Sequence, residues 1–279
     1  MANKTTHSLV SPLRAALAAY ALSLSAVACA APVVLFGSGV DAAALQATVD
    51  QFRTTLGGVN NGVGPPAASG RREINWDGVP DSFAAPNFLP PNFFNANSPR
   101  GAVFSTVVEE GGTAFNSFLV SADSTTAGGT PLRFGDINPQ YSSIFTTFSS
   151  ERLFSVRNGR VMEVSFFVPG SNTPATVSGF GIVLTDVDSS SSGNRTLIRC
   201  VAASGAVIGA ASAPVFDGGL SFIGISFSAP EERCARIIII QGNSSLLAAN
   251  SDGGGVDVVA MDDFIYGEPR PVFGSGSAP

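Results

Sequence analysis

From Gly101 onward the chain is a succession of short strand-like runs separated by turn residues, and this rhythm restricts the fold more than any other feature. The runs are 102–107, 115–121, 144–148, 152–156, 161–168, 177–187, 196–202, 220–227, 235–241 and 256–266. They are rich in Val, Ile, Phe, Ser and Thr, types that suit a pleated, half-buried surface. Several alternate in character. Met162, Val164 and Phe166 share one side of their run, opposite Val161, Glu163, Ser165 and Phe167. Ser204-Gly205, between Val201 and Val207, reads as a tight hairpin turn. Closely spaced strands with frequent turns predict an all-β antiparallel sandwich or barrel. With 44% hydrophobic residues, the chain has enough apolar surface for a full core.

Ahead of this region the periodicity changes. Leu45, Val49, Phe52 and Leu56 recur at helical spacing and form one apolar stripe, with Asp41 placed to cap the helix and Gly57-Gly58 to stop it. The stripe is expected to pack on the sheet domain. Residues 57–70 form a loop rich in Gly, Asn and Pro. In 81–100, prolines exclude a central strand, and Phe83, Phe88, Phe93 and Phe94 imply a loop lying on the body. The expected organisation is a signal peptide over 1–30, a helix and linker over 31–70, a β-sandwich over 71–268 and a disordered tail over 269–279.

The signal reading rests on Lys4 and Arg14, the apolar run 15–27, and Ala28-Cys29-Ala30 as a small-residue cleavage site. Lys4 and His7 are the chain's only lysine and histidine, so cleavage removes every amine and imidazole side chain. Histidine triads, histidine metal sites and Schiff-base chemistry are then excluded. The exported product is expected to be secreted or periplasmic. Because Ala26-Val27-Ala28-Cys29 loosely follows a lipoprotein box, anchoring by lipid at Cys29 is the alternative. No other apolar stretch approaches ~20 residues, so no transmembrane anchor is expected. The formal net charge is -6 and no basic run exists, which argues against nucleic acid as a partner. Cys200 and Cys234 remain as an even pair, for which a disulfide is the default in an oxidising compartment.

Two resemblances add to this reading. Val256-Asp257-Val258-Val259-Ala260-Met261-Asp262-Asp263-Phe264-Ile265 resembles the closing strand of MAM-type and carbohydrate-binding jelly rolls, and the hairpin region 196–227 resembles modules of secreted bacterial proteins. Over most of its length the chain also resembles a group of uncharacterised exported bacterial proteins. That likeness is carried by Val49-Asp50-Gln51-Phe52-Arg53, Gly70-Arg71-Arg72-Glu73-Ile74-Asn75-Trp76-Asp77-Gly78, residues 179–188 and residues 261–269. The resemblance implies a jelly-roll-like sandwich but no activity.

It also implies a ligand. Jelly rolls that this chain resembles often tie an acidic residue on the first strand to one on the last through a structural Ca2+, a cation that takes hard oxygen ligands. Asp77 opens the domain here, and Asp262 and Asp263 close it. Strict alternation would let only one of that closing pair face such a site. Asp186-Val187-Asp188-Ser189-Ser190 starts like an EF-hand loop but has Ser191 where Gly is required and Leu197 where Glu is required, so it reads as a solvated loop.

The expected function is therefore extracellular binding or structure, with calcium as the candidate stabilising ion. A glycan-binding module, with Trp76 stacking on a sugar, is the alternative; packing in the core is the competing role for that indole. A carboxylate-based glycoside hydrolase comes third. Glu109-Glu110, Glu231-Glu232 and Glu163 with Asp186 are its only suggestions, none with a visible pairing geometry, and no catalytic residue is assigned. Arg71-Arg72-Glu73 is expected to form ion pairs or to bond backbone carbonyls.

Overall fold

Two antiparallel sheets lie face to face in the computed structural model, which describes residues 1–2, 31–107, 117–126, 128–188 and 195–272. One sheet runs β1 (Val33–Gly39), β11 (Phe216–Ser226), β8 (Gly179–Val187), β13 (Ala260–Gly267), β5 (Phe154–Val156) and β4 (Phe118–Val120), with β2 (Arg71–Ile74) also pairing β13. The other runs β10 (Val207–Ser212), β9 (Leu197–Val201), β12 (Arg236–Ile240), β6 (Val161–Phe166) and β3 (Ala102–Thr106). A small ribbon joins β7 (Ala175–Thr176) to β14 (Arg270–Pro271). The protein is an all-β sandwich.

The alternation seen in β6 is what makes the core. Met162, Val164 and Phe166 turn inward and pack with Ile182 and Leu184 of β8, Ile237 and Ile239 of β12 and Phe264 of β13. Burying each such side chain contributes about 1.5–3 kcal/mol before the entropy of ordering it.

Alternation is absent from β8 and β13, which are buried along their whole lengths. Both faces of their sheet are covered. On the outer face lies α1 (Ala42–Thr55), whose Leu45, Val49 and Phe52 pack with Val183, Leu220, Phe222 and Ile265. Asp41 caps this helix by accepting from the Ala44 N–H at 3.0 Å, satisfying one of the unpaired first-turn donors. Gly57, at φ +115°, ends it where a side chain would be strained. Elsewhere Tyr141, Phe145, Leu153, Leu246 and Val258 form a second outer layer.

The structure departs from the sequence expectation in several places. Sheet structure begins at β1, within the segment expected to be only helix and linker, and β1 pairs β11 over its full length. Residues 144–148 are not a strand. A one-turn helix, α3 (Tyr141–Ile144), leads into irregular chain whose N–H groups find side-chain acceptors: Thr146 donates to Thr185 Oγ1 and Phe148 to Asp262 Oδ2. The tail, expected to be disordered from 269, pairs through β14 before residue 273. No helix among the described residues is long and apolar enough to cross a membrane.

Candidate functional sites

The closing aspartates sit at a break in the ladder. Between β13 and β8 the register advances from Met261↔Leu184 to Phe264↔Ile182, so Asp262 and Asp263 together oppose Val183. One extra residue on one strand is a β-bulge. It overrides the alternation expected from the sequence, and both carboxyl groups reach one hydroxyl. Ser149 Oγ is 3.0 Å from Asp262 Oδ1 and 2.7 Å from Asp263 Oδ1. That hydroxyl has one proton to give, so two charged carboxylates are not both satisfied. Burial, then the charge of Asp263, pushes Asp262 well above the usual carboxylate range; burial raises Asp263 to about 6. Arg53, 3.6 Å from Asp263, favours the charge on that partner. The pair thus carries two raised carboxyl groups, with the cation on the Asp263 side.

Asp77 joins the same neighbourhood, sharing Ser149 and accepting from the Arg152 N–H at 3.0 Å. The three aspartates singled out from the sequence therefore do meet around Ser149 and the adjoining chain. Their oxygens are engaged largely by donors of the protein itself.

Trp76 is buried at 1% exposure. One face stacks on Phe154, with centroids 4.0 Å apart, and Phe94 and Phe264 meet it edge to face. Its indole N–H donates to the Asp262 carbonyl at 2.7 Å. In this arrangement the ring anchors the opening segment to β13, and it presents no open face to a sugar.

A second acidic group was missed by sequence reasoning. Asp186 and Asp188 come from the end of β8 and Asp217 from a bulge in β11, while Asp252 and Asp257 come from the loop before β13. Carboxylate oxygens of Asp186, Asp188 and Asp217 lie within 4.8 Å of one another, and so do those of Asp188, Asp252 and Asp257. Asp186 takes φ +65°, a conformation Asp tolerates better than most residues, and its Oδ1 accepts from Gly218 N–H at 2.8 Å. Its Oδ2 and Oδ1 of Asp188 are closed off from solvent without a hydrogen-bond partner among the described residues. Burial first, and then repulsion from neighbouring aspartates, pushes both groups up to about 7. The only sequence signals were the aborted EF-hand start and the Asp217-Gly218 and Asp252-Gly253 turns. Nothing local joins segments so far apart.

The remaining charged candidates are tied into the fold. Arg72 is fully buried and grips Glu268 through two bonds of 2.8 Å, while donating to carbonyls of Gly62, Gly64, Pro65 and Pro99. Arg152 joins Asp81 and Asp123. Glu163 pairs with Arg236 at 3.0 Å. Of the Glu231-Glu232 turn, Glu231 is exposed and Glu232 buried. One concavity, about 620 Å³, is lined in part by Thr176, Ser204, Pro230, Arg233 and Arg270. Cys200 and Cys234 form a disulfide, with Cα atoms 5.3 Å apart. Residues 3–30 of the expected signal segment, Cys29 among them, as well as Glu109-Glu110, Ser191 and residues 273–279 lie outside the described residues.

No family model, curated protein or solved structure matches this chain.

Proposed function

We propose that this chain is an exported β-sandwich whose work is extracellular binding or structural support, with a bound Ca2+ as its stabilising ion. One observation carries the reading: several of the chain's charged and aromatic side chains are consumed inside the fold. Asp262, Asp263, Arg72, Arg152 and Trp76 are all buried and engaged with the chain itself. The disulfide fits an oxidising compartment, and so supports export. A glycan or cell-surface component remains the partner class. A glycan reading now rests on the concavity beside Arg233 and Arg270, because Trp76 is covered.

The test has two arms. The full chain is expressed in a bacterial host with its own leader, and the exported product is weighed by mass spectrometry. A product beginning after Ala30 is expected. Acyl chains on Cys29 would establish the lipid-anchored form, and a cytoplasmic product beginning at Met1 would overturn export. Purified protein is then mixed with envelope fragments, insoluble polysaccharides and chromogenic glycosides. Retention on one of the solid phases without chromophore release is expected; turnover would overturn the non-catalytic reading.

A further inference from the structure

We propose that Asp186, Asp188, Asp217, Asp252 and Asp257 form a Ca2+ site at the end of β8, joining the β11 bulge to the loop before β13. The inference deepens the calcium part of the function proposed above and moves it away from Asp77 and the closing pair.

Asp186 is 1% exposed, and its Oδ2 has no partner among the described residues; Oδ1 of Asp188 is in the same condition. A carboxylate oxygen shut away from bulk water without a donor is costly, and a proton, an ordered water or a cation relieves it. The largest charge effects on Asp186 come from Asp252, Asp217 and Asp257, all of the same sign. Two overlapping carboxylate triads share Asp188, so five carboxylates from three segments converge around one residue.

The chemistry selects the cation. All the side-chain ligands are hard oxygens, which excludes the thiolate and imidazole sites of zinc and copper. They come from three separate segments and are numerous. Ca2+ accepts six to eight oxygens in adaptable geometry, whereas Mg2+ demands a near-ideal octahedron and keeps several waters. Asp188, common to both triads, is the central ligand, with Asp186 and Asp217 in one triad and Asp252 and Asp257 in the other. The neighbouring acids around Ser149 are less suited, since that hydroxyl and the Phe148 N–H already occupy Asp262 and Asp263.

The experiment is calorimetric titration of CaCl2, and separately MgCl2, into chelator-treated full-length protein at pH 7.5, paired with thermal melts. Saturable Ca2+ uptake is expected, with weaker Mg2+ binding and a melting temperature raised by several degrees. Asp188→Asn is expected to weaken Ca2+ binding at least tenfold. Asp217→Asn, at an exposed position that tolerates the change, is expected to weaken it measurably while the apo protein stays folded. Asp77→Asn is expected to leave it unchanged. Absence of both binding and stabilisation in the wild type would overturn the site and the calcium reading together. Uptake that Asp77→Asn abolishes, while the Asp188 and Asp217 variants retain it, would overturn this site and leave the calcium reading standing.

Discussion

Gly181 and Gly224 face each other on neighbouring strands, and the ring of Phe52 lies across both. A Cβ on either glycine would come within 2.6 Å of that ring. The helix therefore docks on a shallow seat made by the absence of two side chains. Gly181→Ala or Gly224→Ala is expected to cost about 1–3 kcal/mol, the usual penalty for overpacking. Urea denaturation measures it. Adding Phe52→Leu should recover part of the loss, because the substitutions act on one contact. Strict additivity of the two costs would show that the ring is not what the glycines accommodate.

Arg72 and Glu268 hold the 57–70 loop through a buried pair, since Glu268 also accepts from Asn61 and the Ala67 N–H. Removing one member leaves the other charge stranded. Arg72→Ala is expected to destabilise the fold by about 3–5 kcal/mol. The partly exposed Arg53–Asp50 pair gives the contrast. Asp50→Asn should change stability by less than about 1 kcal/mol. Similar losses from both variants in the same denaturation series would contradict the assigned difference in burial.

The Asp262–Asp263 pair makes stability depend on pH in a defined direction. Both carboxyl groups are raised above their ordinary value, so the folded state holds more protons than the unfolded state. Stability contributed by this pair is then greatest in acid and falls as pH rises from the ordinary carboxylate range through about 6. Arg53, Glu73 and Ser149 are the groups that face it. Asp262→Asn copies the protonated form and should flatten the difference between pH 5 and pH 8 relative to the wild type. Chemical denaturation at the two pH values reads this out, and an unchanged slope in the variant would remove the pair as its source.

Cys200 and Cys234 are 34 residues apart in sequence, and their bond constrains the unfolded chain. Replacing both by Ser is expected to cost about 2–4 kcal/mol. Melting in the presence of a reductant should reproduce the shift in the wild type and leave the double variant unaffected.

The helix shows what local pattern alone could settle. Its stripe, its Asp41 cap and its glycine stop are all visible within one stretch of sequence, because a helix satisfies its backbone bonds within itself. Most of the later strands were legible for a related reason: period-two patterns and turn residues are local. β2 was not, since Arg71-Arg72-Glu73-Ile74 carries no strand pattern and becomes one only by pairing β13. β1 was hidden in the same way, an apolar run beside the expected signal whose partner lies nearly 190 residues on.

The sequence by itself determined an all-β body, a capped helix packed against it and the pairing of its two later cysteines. Tertiary structure alone decided where the acids meet. A bulge at Asp262-Asp263 turned two side chains the same way, and another at Asp217 helped bring five aspartates from distant segments together. Bulges and loop convergence depend on how strands register with remote partners, and no short window of residues records that.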